Sequence, residues 1–191
     1  MKRILILVDC QNDFCARHGA LAGQPQIEAE ARIEYLLSHK DLFSKIILTQ
    51  DLHGENYLDT VEGKHLPVKH CIQGSWGAAI HPGILKGVNK SNALVSIIPK
   101  STFMANPSHM EYELKDLETG DEVYICGFCT DICVASNALL AKGITAGRDI
   151  EVYVLPDLCE GATPEGHEGA LNVLQACQIN LVSVNKILGN K

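Results

Sequence analysis

The sequence has no dense run of lysine and arginine, and this absence argues against a nucleic-acid partner. Its formal net charge at pH 7 is -7, and its pI is close to 5.6. An acidic chain without a basic cluster is a poor match for a polyanion such as DNA or RNA. We therefore expect no nucleic-acid partner.

Long hydrophobic runs are also missing. The first apolar run is short and ends at Asp9, which is too brief for a membrane span or for a signal peptide with a cleavage site. No internal repeat, low-complexity tract or linker divides the chain. With 191 residues, of which 46% are hydrophobic, we expect one domain over residues 1–191, in the cytoplasm and with no membrane partner.

Eight cysteines are present, but the spacing of a disulfide framework or a zinc ribbon is not. The pair Cys126-x-x-Cys129 has no second pair at zinc-ribbon spacing. Cys126 and Cys177 lie in apolar runs, where a reduced cysteine behaves as a small hydrophobic residue. We predict that most of the eight are buried thiols; they are Cys10, Cys15, Cys71, Cys126, Cys129, Cys133, Cys159 and Cys177.

Short apolar runs alternate with helical patterns along the chain. The runs predict strands at 4–8, 45–49, 93–98, 122–126, 150–155 and 179–184. The helical patterns lie at 26–39, 110–117, 133–142 and 164–176, with Gly143 as a stop signal. Most strands are nearly continuous apolar runs, which indicates that both faces are covered. We predict an α/β fold: a three-layer α/β/α arrangement with a six-stranded, mostly parallel, Rossmann-like sheet.

Polar and reactive side chains follow the predicted strands. Ligands of open parallel sheets bind beyond the carboxyl ends of the strands, so these side chains should share one crevice. They are Asp9 after the first strand, Asp51 and His53 after the second, Lys100 after the third and Cys133 after the fourth. The connection over residues 50–90 is unusually long and rich in His, Asp and Glu, which predicts a metal or substrate site within it.

Asp, Lys and Cys together suit the covalent hydrolysis of an amide. Cys133 would attack the carbonyl, Asp9 would act as the base, and Lys100 would favour the thiolate. One Lys–thiolate pair at ~4 Å is worth about 4 kcal/mol, or roughly three pKa units. Together with a helix N-terminus, Lys100 is predicted to lower the pKa of Cys133 towards neutrality, although a charged Asp9 opposes it. The turn at 127–130 and the Cys133 amide can supply oxyanion donors.

Several motifs, in order, resemble those of the isochorismatase-like cysteine hydrolases, and within them most closely the nicotinamidases and pyrazinamidases. They are LVDCQNDF at 7–14, TQDLH at 49–53, HCIQGS at 70–75, PK at 99–100, GFCTDICV at 127–134 and DLCEG at 157–161, followed by His167. The resemblance implies a catalytic triad of Asp9, Lys100 and Cys133, a cis peptide bond at 128–129, and oxyanion donors at the amides of Cys129 and Cys133. It also implies hydrolysis of nicotinamide to nicotinate and ammonia through a cysteine thioester, as in NAD salvage.

The same resemblance assigns Asp51, His53 and His70 to a metal site. Carboxylate and imidazole ligands suit Zn, Mn or Fe, and we expect one divalent ion, with zinc the first choice. In the family this metal is thought to hold the pyridine nitrogen. Glu62 is the expected fourth ligand, and Asp59 and His65 are the alternatives.

The resemblance also implies an aromatic clamp around the substrate ring, and the sequence departs from it. Phe14 fits one side, but Leu66 replaces the usual aromatic on the other, so ring selectivity should be looser. Leu21 and Cys129 are expected to complete the apolar wall, and Trp76 is an alternative source of stacking.

Two other functions remain open at this point. The same triad could cleave another small amide. More remotely, Cys126-x-x-Cys129 or the His-rich connection could serve a redox or metal-binding α/β protein. Apolar helix faces also favour a homo-oligomer.

Overall fold

The computed structural model describes residues 1–189 of the chain. Its centre is a parallel sheet of six strands in the order β3-β2-β1-β4-β5-β6. Every pair of neighbouring strands in it is parallel. The strands are β1 (Arg3–Val8), β2 (Lys45–Asp51), β3 (Leu94–Lys100), β4 (Glu122–Phe128), β5 (Glu151–Glu160) and β6 (Asn180–Leu181). The predicted three-layer α/β fold is confirmed, although β5 is longer and β6 shorter than expected.

Helices cover the sheet and connect its strands. They are α1 (Asn12–Cys15), α2 (Gln24–Leu37), α3 (Val61–His65), α4 (Pro82–Lys90), α5 (Pro107–Leu114), α6 (Ala135–Thr145), α7 (Pro164–Ala176) and α8 (Val184–Leu188). A 3₁₀ turn spans Tyr57–Asp59, and a π-helical turn at Thr130–Val134 leads into α6. The bounds of α7 agree with the prediction at both ends.

Two helical expectations were wrong. Helix α4 forms inside the stretch that was predicted to be a loop, because Pro82 suits the first helical position and Ile84 and Val88 bury one face. Gly143 was expected to stop α6, yet the helix continues to Thr145. A glycine within a helix costs only about 1 kcal/mol, which the packing of the helix overrides.

The prediction that strands are covered on both faces holds in the centre of the sheet but not at its edge. Residues Leu5 to Val8 of β1 are fully buried. In β3, by contrast, Leu94, Val95 and Ile97 are exposed. The reason is the strand order: β3 lies at the edge, beside β2 alone. The apolar composition of β3 therefore did not indicate that this strand lies at the edge of the sheet.

The strand order reverses between β1 and β4, which opens a crevice beyond their carboxyl ends. The two strands are paired up to Val8 and Gly127. Gly127 has φ 129°, and a Cβ at this position would collide with the backbone of Val8. Only glycine permits this approach, so the residue fixes the turn that leads towards Cys133.

Within residues 1–189, none of the helices is both long enough and apolar enough to cross a bilayer.

Candidate active site

Asp9, Lys100 and Cys133 meet in the crevice. The Nζ atom of Lys100 lies 2.7 Å from Oδ2 of Asp9 and donates to Sγ of Cys133 at 3.6 Å. Asp9 is fully buried, and Lys100 and Cys133 are each 6% exposed. The three residues come from the end of β1, the last position of β3 and the π-helical turn after β4. The structure therefore brings together the three residues predicted to react.

Thr49 holds Asp9 in place. Its Oγ1 donates to Oδ1 of Asp9 at 2.6 Å and accepts from the Asp9 amide at 3.1 Å. Asp9 has φ 49°, a left-handed conformation that Asp tolerates better than most residues. Thr49 belongs to the motif at 49–53, but no role was predicted for it. Nothing in the sequence indicated that its side chain contacts Asp9.

In the trio formed by Asp9, Lys100 and Cys133, the pKa of the thiol shifts in the opposite direction to the prediction. Burial is the main cause that raises the pKa of the Cys133 thiol, and Asp9 raises it further, while Lys100 opposes both. The expected lowering of this pKa was therefore wrong, because removing the thiolate from water outweighs one cation. Burial likewise raises the pKa of Asp9. For Lys100, burial lowers the pKa, but Asp9, Cys133 and Asp51 together raise it overall.

These directions describe a resting site with a neutral thiol and a lysine that stays charged, next to a buried Asp9 whose pKa is raised. Oδ2 of Asp9 is buried and, among the described residues, has no hydrogen-bond partner, so Asp9 offers an acceptor for the thiol proton. Such a site can form a nucleophile at the moment of attack instead of storing a thiolate.

A second group of side chains lies beside the trio. Oδ2 of Asp51 is 2.8 Å from Nε2 of His53 and 3.5 Å from Nε2 of His70, and all three residues are buried. One ligand atom from each residue lies within 4.8 Å of the others. Oδ1 of Asp51 also accepts from Lys100 at 3.1 Å, so the carboxylate joins the two groups.

The donor atoms in this group fit a metal ion. Within the described residues, Nε2 of His53 is buried without a hydrogen-bond partner. Nδ1 of His70 contacts the Val68 carbonyl at 2.9 Å, which leaves Nε2 to face Asp51. A backbone contact at one ring nitrogen commonly orients a metal-binding histidine. Asp51, His53 and His70 could therefore bind a divalent cation.

The three candidates for a fourth ligand occupy different positions. Oε1 of Glu62 lies 3.7 Å from Nε2 of His53 and 3.8 Å from Nε2 of His70, and 21% of its side chain is exposed. Asp59 is exposed at the end of the 3₁₀ turn, and His65 is exposed at the end of α3. The distances favour Glu62.

Two residues that the sequence did not suggest hold Asp51, His53 and His70, which we call the metal group, in place. Nε2 of Gln11 donates to the carbonyls of Asp51 and Ala78, and Oε1 of Gln11 accepts from the Asp51 amide. The Tyr57 ring lies 4.7 Å from the ring of His53 and 4.9 Å from that of His70, measured between centroids. Gln11 lay in the motif at 7–14, whereas nothing in the sequence pattern distinguished Tyr57.

A cavity of about 800 Å³ opens between the trio and the metal group. Its lining includes all four residues predicted to contact substrate: Phe14, Leu21, Leu66 and Cys129. Cys133, Asp51, Glu62 and His70 also line it, and so does Phe103, which the sequence did not suggest. Trp76 is 56% exposed, and it is absent from the lining of this cavity in the described part of the chain.

The turn after β4 contains the cis peptide bond that the resemblance implied. The Phe128–Cys129 peptide bond is cis. Cys129 is the residue before the π-helical turn, and Cys133 lies within it. Their predicted role as oxyanion donors stays a prediction.

All eight cysteines are free of disulfide bonds in the described residues. Burial raises the pKa of Cys129 to about 12 and that of Cys126 well above its ordinary value. Cys133 also has a raised pKa but has Lys100 beside it, whereas in the described part of the chain no cation lowers the pKa of Cys126 or Cys129. Buried thiols without such a partner are inert, which disfavours a redox role for Cys126-x-x-Cys129. Cys177 is exposed, so its predicted burial was wrong; it follows the last turn of α7, beyond the packed face of that helix.

Comparison with known proteins places this site in a family of hydrolases. The isochorismatase domain model matches residues 3–186, and the chain belongs to this family. It is 30% identical to the nicotinamidase of Acinetobacter baylyi over 96% of this chain and 94% of that protein.

Solved structures agree. The pyrazinamidase of Pyrococcus horikoshii in complex with zinc is 28% identical, with a TM-score of 0.70 over 96% of this chain and 99% of that one. A crystal structure from L. infantum in complex with nicotinate is 25% identical, with a TM-score of 0.76 over 95% of this chain and 92% of that one. The resemblance inferred from the motifs is confirmed: the chain is an isochorismatase-family hydrolase with similarity to nicotinamidases.

Proposed function

We propose that this protein is a metal-dependent nicotinamidase, which hydrolyses nicotinamide to nicotinate and ammonia. One observation carries the proposal: a single cavity is lined by the Cys133 thiol and by the Asp51 and His70 side chains of the metal group. A flat amide that occupies this cavity can present its carbonyl to the thiol and its ring to the metal group. The similarity to named nicotinamidases supports the same substrate.

The trio supplies the chemistry. Asp9 takes the Cys133 proton as the sulfur attacks the amide carbon, and Lys100 stabilises the charge on sulfur. The amides of Cys129 and Cys133 bind the developing oxyanion. The intermediate collapses to a thioester as Asp9 returns the proton to the leaving nitrogen, which departs as ammonia. Water then attacks the thioester, with Asp9 as base, and releases nicotinate and the free thiol.

The remaining residues position the substrate. Asp51, His53 and His70, with Glu62 as the fourth ligand, would hold one divalent ion; zinc is the first choice, and Mn or Fe are the alternatives. When bound, this ion would supply a Lewis acid suited to a pyridine nitrogen. Phe14, Leu21, Leu66 and Cys129 form the apolar wall beside the ring. A role in NAD salvage follows from this substrate, and we propose that the protein acts in the cytoplasm.

Ammonia release from nicotinamide tests the proposal. The protein is first analysed for metal, then assayed before and after chelation and after readdition of Zn²⁺, Mn²⁺ or Fe²⁺. Activity that is lost on chelation and restored by one of these ions supports the proposal and identifies the ion. Metal-loaded protein that leaves nicotinamide intact, while Cys133 still reacts with a small thiol reagent, contradicts the substrate assignment but not the thiol chemistry.

A second candidate is the hydrolysis of another small amide by the same trio. The observation that favours it is the aliphatic Leu66 in the cavity wall, which offers a ring substrate no stacking partner. A panel of aromatic and aliphatic amides separates the two functions. Faster cleavage of an aliphatic amide, unaffected by chelation, would favour this candidate.

A further inference from the structure

A second group of metal-binding side chains lies outside the active site. It consists of Glu30 and Glu34 on α2 and of His81, the residue that precedes α4. One ligand atom from each lies within 4.8 Å of the other two. This group shares no residue with the group formed by Asp51, His53 and His70. Helices α2 and α4 pack against each other, so the three side chains meet at a helix–helix contact.

The close atoms in this group are not aligned as a hydrogen bond. Nδ1 of His81 is 2.7 Å from Oε1 of Glu30. Nevertheless, among the described residues both of these buried atoms are without a hydrogen-bond partner. The side chain of Glu30 is only 8% exposed. The two atoms are close enough for an ion pair when His81 is protonated, but their buried hydrogen-bonding capacity is left unused.

The group of Asp51, His53 and His70 also contains a short distance without an aligned hydrogen bond. There, Nε2 of His53 is 2.8 Å from a carboxylate oxygen of Asp51 and is also without a hydrogen-bond partner in the described chain. The Glu30–His81 pair therefore shares its short distance and its lack of an aligned hydrogen bond with a pair that also belongs to a group of possible metal ligands.

The distances and the access suit a metal ion. Oε1 of Glu34 lies 3.9 Å from Nδ1 of His81. Ligand atoms bound at about 2.0–2.2 Å to one first-row ion stand roughly 3–4 Å apart, so the Glu34–His81 distance fits as it stands, whereas Glu30 and His81, at 2.7 Å, would have to move slightly apart. Since 43% of the Glu34 side chain and 22% of that of His81 are exposed, an ion can enter from solvent. Neighbouring carboxylates one helical turn apart also repel each other, and a cation would relieve this repulsion.

Gly83 makes room for the group. A Cβ at this position would collide with Oε1 of Glu34 and would lie 3.1 Å from Oε1 of Glu30. The Glu34 carboxylate therefore occupies the space that any other residue at position 83 would fill. The His81 amide donates to the Cys10 carbonyl at 2.9 Å, which fixes the backbone of His81 on the other side of the group.

We propose that Glu30, Glu34 and His81 form a second divalent-metal site that binds a first-row ion such as Zn²⁺ or Mn²⁺ and joins α2 to the start of α4. Two carboxylates and one imidazole are a ligand set that suits these ions. His81 lies in the same connection as His53 and His70, just before α4, so an ion here would anchor that connection to α2.

Metal content per chain tests the site. Full-length protein is equilibrated with Zn²⁺ or with Mn²⁺ and desalted, and the bound ion is counted by mass spectrometry. We expect about two ions per chain in the wild type, about one in Glu34→Gln, about one in His53→Gln and none in the double variant. In the His53→Gln background, which leaves only the second site, the Mn²⁺ affinity is measured from the electron paramagnetic resonance signal of free ion.

Gly83→Ala provides a variant that keeps every ligand. It should weaken Mn²⁺ binding in the His53→Gln background at least tenfold, because the new methyl group displaces the Glu34 carboxylate. Gly169→Ala in α7 is the matched control, since a Cβ there meets nothing within 4 Å. Circular dichroism and thermal melting establish that each variant is folded.

The outcomes separate this site from the proposed function. Folded His53→Gln protein that binds no ion, or binds one equally well with and without Glu34→Gln and Gly83→Ala, overturns the second site; Glu30, Glu34 and His81 are then an ion pair only. One ion in the wild type that is lost in Glu34→Gln and kept in His53→Gln supports the second site and contradicts the metal of the proposed nicotinamidase.

Discussion

The reactive trio and the metal group lie side by side, yet they are held in different ways. Asp9 and Lys100 lie at the carboxyl ends of β1 and β3, and strand pairing fixes their positions; in β2 and β3, Asp51 is directly opposite Lys100. His53, Glu62 and His70 come from the connection between β2 and β3, where side-chain contacts such as those of Tyr57 hold them. The strand ends thus carry buried side chains, whereas the connection carries ligands that differ in their exposure to solvent.

The difference is visible in burial. The trio is at most 6% exposed. Among the side chains of the connection, those of His53 and His70 are 6% and 3% exposed, while that of Glu62 reaches 21%. Substitutions in the trio should therefore act strongly on both turnover and stability, and those at the outer edge of the metal group should act weakly.

Replacement of Cys133 should have the largest effect. Cys133→Ala removes the nucleophile, and we expect the turnover of nicotinamide to fall by roughly 10⁴-fold or more, with metal content unchanged. Cys177→Ala is the matched control, because that thiol is exposed on another part of the molecule, and it should retain full activity. Measurable turnover by pure Cys133→Ala protein would exclude the thiol mechanism.

Replacement of Lys100 should affect catalysis and stability together. Lys100→Met leaves Asp9 and Asp51 buried without their cation, which should cost about 3–5 kcal/mol of unfolding free energy and at least roughly 10²-fold in kcat/KM. Urea unfolding and steady-state kinetics measure the two effects.

Lys45→Met is the control for Lys100→Met. Lys45 pairs with Glu113 at 2.6 Å in a partly exposed position, so its loss should cost at most ~1 kcal/mol and leave turnover unchanged. An equal loss of stability in Lys100→Met and Lys45→Met would show that the deeper burial of Lys100 does not make its ion pairs more important for stability.

Replacement of Glu62 tests the outer edge of the metal group. Its carboxylate is farther from the imidazoles than that of Asp51, so Glu62→Gln should weaken metal binding by about 10–100-fold without abolishing it. Metal affinity is measured by titration of the chelated protein. Asp59→Asn and His65→Gln should bind metal as the wild type does; a larger loss in either would transfer the fourth ligand to that residue.

The smallest effect is expected at the apolar wall. Leu66→Phe would place an aromatic ring in the part of the wall that Leu66 now forms, and a stacked pair is worth about 0.5–1.5 kcal/mol. The KM for nicotinamide should fall by roughly 2–10-fold, while the KM for an aliphatic amide should not. Equal changes for both amides would show that Leu66 does not set ring selectivity.

Much of the fold was predictable because its elements are local. The apolar runs predicted all six strands, and helical spacing predicted α7 at both ends. What failed depended on neighbours: β3 is exposed because it lies at the edge of the sheet, and α4 formed because Ile84 and Val88 found a surface to bury against. A single sequence does not show which strands and helices will lie next to each other in the fold.

The sequence by itself determined which reactive residues stand at the ends of strands, because a parallel sheet brings its carboxyl ends together whatever the strand order. Only the tertiary structure decided that Cys133 is so deeply buried that its pKa rises, and that His81 meets Glu30 and Glu34. Both results depend on contacts between residues distant in the chain, and the free energy of a charge or a ligand site is set by those surroundings.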